Sequence, residues 1–458
     1  MEQGRSTARA RGRTPNVTRQ SWWGRLWSPF WAIPVACSIA AVVLGVGLPQ
    51  LEEALDVNLP YVFQGGPDGA RGLLGTIATG MISMTGLVFS ITMVILQLAS
   101  SQFTPRVLGG FLESRITQFT LGVFIASFVF ALAVTRSVRG EYGNTGEFVP
   151  KTSVTLAFLL VLASVGCFLA FIHHITTSIQ VSHVISRIGD RSLELAEALY
   201  PGTEEDEGTG LGPTWSPDPG TPRVAVSTED VHGVITQVDY ERLVELARGL
   251  DVVVLIDREV GQFLAEGQHL FRVWGTEQLE EADRARLWST ITLGHERQMH
   301  QDVGFGIRQL VDIAERALSP GINDPTTAVK VIDELHRVLR HLVRRQSPSP
   351  YIADEDGRVR VVHRPQSIEG HLSLAVDEIS HYGEGSVQVP RRLRAMLEDL
   401  QDVALDRYRP RLGQALERLA EPTGHAVSDS DAGADHRGGE GPEQGGDLPG
   451  SRDVRARA

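Results

Sequence analysis

The sequence predicts an α-helical membrane domain with four transmembrane helices, plus a cytoplasmic α+β domain: a small β-rich barrel or sandwich followed by a helical bundle. Three observations predict it. Charged residues make up 22% of the 458-residue chain, yet none falls within residues 26–51, 72–105, 116–135 or 152–186. A bilayer core takes about 20 mostly apolar residues per helix, and each window supplies them. Beyond residue 222 the apolar residues fall first into short Val- and Ile-rich runs and then into helical spacing. Between the two halves lies a stretch rich in proline and acidic residues.

The elements follow in order. Residues 1–28 form a basic tail, with Arg5, Arg9, Arg11, Arg13, Arg19 and Arg25 against Glu2. The loop after the first span carries Glu52, Glu53, Asp56 and Asp68 against Arg71. The positive-inside rule therefore puts the N-terminus in the cytoplasm, and four spans return the C-terminus there. Trp22, Trp23, Trp27 and Trp31 suit the headgroup layer at the first entry. The leader and first apolar stretch are both too long for a cleaved signal. The membrane domain covers residues 29–199, with spans at about 29–49, 73–96, 116–135 and 153–174. The second span continues into a polar exit, and the fourth is extended by a polar helix reaching about Leu199.

Residues 200–222 read as a linker, holding Pro201, Pro213, Pro217, Pro219, Pro222 and an acidic run at 204–207. The β-rich subdomain spans 223–275, with strand-like runs at 224–226, 231–238, 252–256 and 269–273, a helix near 240–249 and a tight turn at 261–267. The helical subdomain spans 276–420, with helices expected at 277–293, 302–318, 325–345, 367–382 and 390–419. A hairpin at 351–363 turns at Asp356-Gly357. Residues 421–458 are rich in Gly, Asp, Glu and Ser without an apolar face, and disorder is expected there.

Composition narrows function. A net charge of -13 gives no reason to expect nucleic acid. Cys37 and Cys167 stand alone inside predicted spans, which suits neither a disulfide framework nor a zinc site. Phosphate loops, dinucleotide fingerprints and nucleophile elbows are missing. His295-Glu296 opens like a zinc motif, but the second histidine is His300, which falls on another helix face; this reads as a solvated helix. No catalytic residue, metal ligand or cofactor is assigned, and an enzyme has the least support.

Three segments are candidates. Gly72, Thr76, Thr79, Ser83, Gly86 and Ser90 recur at steps of three and four along span two, with Gln97 a heptad beyond. Small and hydroxylated residues on one stripe suit either close helix packing or the lining of a conduit in an oligomer. No charged residue lies inside a span core, which argues against a proton-coupled carrier. At the exit of span four, His173 and His183 share a helical face, a pH-sensitive face or a plain interfacial one. At 319–326 one helix ends at Ser319-Pro320-Gly321 and the next opens with Asn323 or Asp324 before Pro325 and Thr326. That corner is either an anion or ligand site at a helix N-terminus or a simple join.

LVFSITMVILQLASSQFTPRVL at residues 87–108 and DVGFGIRQLVDIAERALSPGINDPTTA at 302–328 are long, specific motifs. Through them the chain resembles the bacterial predicted membrane proteins called domain of unknown function 2254, over about residues 27–419. The resemblance implies a multi-span membrane protein with a C-terminal soluble region, and it brings no established activity and no catalytic residues to map. The expected localisation is the cell (plasma) membrane, multi-pass, with both termini cytoplasmic. The leading functional expectation is a membrane-anchored scaffold or sensor whose cytoplasmic domain binds a protein partner or small ligand. The alternative is an oligomeric ion channel or conduit lined by span two. Expected partners are the lipid bilayer, further copies of the chain and a cytoplasmic protein or small ligand.

Overall fold

A computed structural model of the chain describes residues 30–55, 63–102, 115–140, 147–178, 180–202, 214–227 and 231–420. The basic tail 1–28, the acidic run 204–207, the end of the first family motif at 103–108 and the tail 421–458 lie outside the described residues.

Among the described residues, four helices are long and apolar enough to cross a membrane: α1 (Ala32–Leu55), α2 (Pro67–Gln102), α3 (Arg115–Ser137) and α4 (Lys151–Ser178). Helix α3 is central and packs on the other three. Small residues permit the close approach: a Cβ on Gly45 of α1 would meet Ala133 at 2.7 Å, and one on Gly122 of α3 would meet Cys37 at 3.0 Å. Several polar groups find partners inside the protein, as lipid demands. Ser127 and Ser164 share a hydrogen bond of 3.2 Å between α3 and α4. Glu52, at the end of α1, accepts from the backbone N–H groups of Thr152 and Ser153 at 3.0 and 2.8 Å and so caps α4. Arg71 donates to the Val138 carbonyl at 3.1 Å, and Arg139 pairs with Glu53 at 3.0 Å.

Beyond the spans the chain is a mixed helical and sheet region. Helix α5 (Val181–Leu199) restarts after an extended Gln180, so the fourth apolar helix and its polar continuation are two helices. Val184, Ile185, Ile188, Leu195 and Ala196 of α5 enter a buried core shared with α8 (Val303–Leu318), α9 (Pro325–Leu342), α10 (Ile368–Gly383), α11 (Gln388–Val403) and α12 (Arg409–Ala420). Preceding them in the chain are β1 (Arg223–Ser227), β2 (Gly233–Val238), α6 (Tyr240–Gly249), β3 (Val253–Ile256), β4 (Phe263–Leu264), β5 (His269–Trp274), α7 (Glu281–Trp288) and β6 (Ile291–Gly294). The hairpin β7 (Tyr351–Ala353) and β8 (Val359–Val362) sits between α9 and α10, turning through Gly357 at φ +78. One sheet has the order β1-β5-β3-β8-β7, with β3 and β8 parallel; the other has the order β4-β2-β6 and is antiparallel.

Three expectations change. Residues 277–293 are not one helix: α7 stops at Trp288, and the β-branched Ile291-Thr292 run pairs with β2. His295 and Glu296 consequently lie in the turn after β6 and not on a helix. Residues 390–419 are two helices, because Ala404 turns extended, Tyr408 is buried in the core and Pro410 sits in the first turn of α12. Both sheets draw strands from either side of residue 275, where the sequence suggested a boundary.

The approach of α5 to α8 hinges on Gly306, where an added Cβ would overlap Ser192 Oγ and Met299 Cε. Gly306→Val is expected to destabilise this region by about 1–3 kcal/mol through overpacking, whereas Gly249→Ala, with open space around it, should be neutral or slightly stabilising. Thermal unfolding of the full chain in detergent checks both.

Candidate functional site

Asp302 caps α8: its Oδ1 accepts from the Phe305 N–H at 2.8 Å. The side chain is only 1% exposed, so its charge needs a partner. Arg297 supplies one in a forked pair, Nε to Oδ2 at 2.9 Å and Nη2 to Oδ1 at 2.9 Å. The Arg297 guanidinium also stacks over the Phe305 ring at 5.4 Å. Gly261 passes so close that a Cβ would overlap Asp302 Oδ2, and its φ of +89 also requires glycine.

The network continues through Gln366, just before α10. Its amide nitrogen donates to Asp302 Oδ1 at 2.7 Å and to the Val260 carbonyl at 3.2 Å. Its amide oxygen accepts from the Gly304 N–H at 3.1 Å. The Gln366 carbonyl lies 3.1 Å from the hydroxyl of Tyr200, the residue ending α5, which also lies 2.6 Å from His371 Nε2. That hydroxyl has one proton; when it serves Gln366, His371 Nε2 carries an N–H and donates back. Arg345 donates to the Tyr200 carbonyl at 2.8 Å and fixes the backbone there.

Beside this network lies a small half-open cleft with a cavity volume of about 50 Å³. Its walls include Tyr200, Tyr240, Gln301, His363, Arg364 and Gln366. Tyr240 opens α6 behind the Asp239 cap. Gln301 clamps the end of β2, accepting from the Val238 N–H at 2.9 Å and donating to its carbonyl at 3.0 Å. His363 follows β8; its Nε2 donates to the Ser349 carbonyl at 3.0 Å, leaving Nδ1 to accept from the Tyr240 hydroxyl at 3.4 Å. Burial pushes both phenols above the ordinary tyrosine range, helped at Tyr200 by the Asp302 charge. Burial lowers His371 and His363 to about 4, with the Arg297 charge adding to the effect at His371. Both imidazoles are neutral near pH 7. Glu259 is held above the usual carboxylate range by burial, against the opposing charge of Arg364 at the mouth. The cleft thus offers two phenols, neutral imidazole and amide groups on apolar walls, with a cation at the rim, which suits holding a small polar molecule.

None of the sequence candidates lines this cleft. Gly72, Thr76, Thr79, Ser83, Gly86, Ser90 and Gln97 all lie on an exposed face of α2, opposite Leu74, Ile77, Ala78, Met81 and Val88, which are buried. Thr76, Thr79 and Ser83 donate to carbonyls four residues back at 2.8, 3.0 and 2.8 Å. His173 on α4 and His183 on α5 are both exposed, with the interruption at Gln180 between them. At the corner, Asn323 adopts a left-handed φ of +49, and Asp324 caps α9, accepting from the Thr327 N–H at 3.1 Å and its hydroxyl at 2.6 Å. These two bonds hold the Asp324 carboxyl below its usual range, and this helix N-terminus carries its own anion. Thr326 is exposed. Sequence reading missed Tyr200, Tyr240, His363, Gln366 and His371, which are dispersed over the chain and share no spacing.

A family described as predicted membrane protein (DUF2254) matches residues 27–399. Among curated relatives, an uncharacterized protein of Mycobacterium bovis and one of Mycobacterium tuberculosis are each 33% identical over 383 residues, covering 82% of this chain and 71% of the relative. No solved structure matches.

Removing the Asp302 charge leaves Arg297 unpaired: Asp302→Ala is expected to cost about 3–5 kcal/mol, read by chemical unfolding. Histidine titration sets a pH slope. His363 and His371 sit at about 4 when folded against 6.5 otherwise, so the unfolded chain binds more protons between those values. Stability is complete above about pH 6.5 and declines as pH falls toward 4, by up to roughly 3 kcal/mol for each imidazole. His371→Gln should flatten that slope in melting temperatures taken across pH 4–7.

Proposed function

We propose that this chain, which belongs to the DUF2254 family of predicted membrane proteins, is a membrane-anchored sensor whose extramembrane region binds a small polar ligand in the cleft beside Tyr200. The carrying observation is the place of Tyr200: it lines the cleft and ends α5, the helix that starts three residues after α4 finishes. A ligand pressing on Tyr200 acts on a helix tied to the fourth span. Arg364 at the mouth favours a ligand with an acidic group, and Tyr240 and Tyr200 favour a planar body. The basic leader against the acidic first loop supports a cytoplasmic position for this region in the cell membrane.

A second reading rests on α2. Its small and hydroxylated face has no described neighbour: a Cβ on Gly72 or Gly86 would meet nothing within 4 Å. Copies of the chain assembling through this face would form an oligomeric conduit or a packed interface.

A thermal-shift and calorimetric panel of small aromatic and aliphatic carboxylic acids on the full chain in detergent tests the first reading. Binding is expected in the wild type and weakened about tenfold, or about 1.4 kcal/mol, in Arg364→Gln and in Tyr240→Phe. Binding indifferent to both substitutions, or absent across the panel, sinks the cleft reading. Planar-bilayer recording then judges the second: discrete conductance altered by Ser83→Trp supports a conduit.

A further inference from the structure

We infer that the end of the helical bundle nearest the spans is a membrane-contact surface, which seats Ile322, Tyr382 and Val387 in the interfacial layer of the bilayer that α4 leaves.

The three side chains are 46%, 54% and 81% exposed. Among the described residues after 180, the other large apolar side chains so exposed are Val231 and Phe263, both in the sheet region. Ile322 lies in the corner between α8 and α9, and Tyr382 and Val387 flank the corner between α10 and α11. These corners are neighbours: Gly383 packs so that an added Cβ would meet Leu318 at 3.5 Å and would overlap Val389.

Helix direction fixes which way they point. Lys330 Nζ donates to Ser182 Oγ at 3.1 Å, Arg337 to Asp190 at 2.7 Å and Arg345 to the Tyr200 carbonyl at 2.8 Å. The partners advance together along α5 and α9, so the two helices run parallel from the end of α4. Ser182 lies five residues past Thr177, the end of the apolar stretch, at the level of Lys330. Pro325 lies five residues before Lys330, which returns the chain about 7 Å toward the start of α5 at 1.5 Å per residue. The corner holding Ile322 therefore stands near the level where the fourth span ends. Turn hydrogen bonds from Gln180 to Thr177 and from His183 to Gln180, at 3.3 and 2.9 Å, carry the chain across the interruption. The headgroup layer is about 5–8 Å deep on each side of the hydrocarbon, and an aromatic side chain with a polar tip, such as Tyr382, suits it. Apolar side chains left facing water there are uncovered; facing headgroups they are covered. This holds whichever side of the membrane the bundle occupies and does not depend on the ligand cleft.

The test uses the full chain with Cys37→Ala and Cys167→Ala, carrying one environment-sensitive fluorophore at Val387→Cys, Ile322→Cys or, as the aqueous control, Glu355→Cys on the β7–β8 turn. Each is reconstituted into phosphatidylcholine–phosphatidylglycerol vesicles. Quenching by lipids bearing a shallow nitroxide is expected to be at least twofold greater at Val387 and Ile322 than at Glu355, with iodide quenching correspondingly weaker. Iodide quenching at both corners equal to that at Glu355 overturns the inference. Protection from both quenchers overturns it as well, since it places the corners against protein. Two independent positions guard against one variant failing to fold.

Discussion

The region beyond the spans is tied together at the buried carboxylate of Asp302 and its partner Arg297. A carboxylate this enclosed needs donors around it, and they come from separate places in the chain. Arg297 arrives from the turn after β6, the Phe305 N–H from the first turn of α8, and the Gln366 amide from the approach to α10. Gly261 leaves the space the carboxylate occupies. Through Gln366 the constraint reaches Tyr200 at the end of α5. Sheet region, helical bundle and α5 are thus joined through the Asp302–Gln366 network, and the cleft lies beside it.

The membrane helices meet the same requirement with smaller means. Hydroxyls on α2 bond to their own helix backbone, and Glu52 accepts from two backbone N–H groups at the start of α4. Helix α3 is central while carrying buried Thr120 and Ser127, whose hydroxyls donate to the Cys167 and Val123 carbonyls at 3.4 and 2.7 Å. Helix α5 links the two environments. It shows one apolar side to the bundle core and starts within a few residues of the fourth span.

How much was legible depends on the range of the forces involved. Helices α8 and α9 were readable nearly to the residue, because Asp302, Asp324 and Pro325 are local start signals. Strand β6 was read as the tail of a helix, since only the edge of β2 makes a strand of Ile291–Gly294. The break between α11 and α12 was hidden because it comes from burying Tyr408 as well as from Pro410. The cleft was not legible: Tyr200, Tyr240, His363 and Gln366 carry no mutual spacing, and each alone resembles an ordinary polar residue at the edge of an element. The polar stripe of α2 was legible as a pattern, while its exposure was not.

The sequence by itself determined that this chain has four helices able to cross a membrane, followed by a mixed helical and sheet region, and it marked where many helices begin. Those properties depend on the local run of apolar, charged and capping residues, which is written directly in the order of the chain. The tertiary structure decided that β8 pairs in parallel with β3, that four distant side chains line one cleft, and that Ile322, Tyr382 and Val387 come to one end of the bundle. The physical reason is that burial and pairing belong to two surfaces at once, and a single stretch of sequence specifies only one of them.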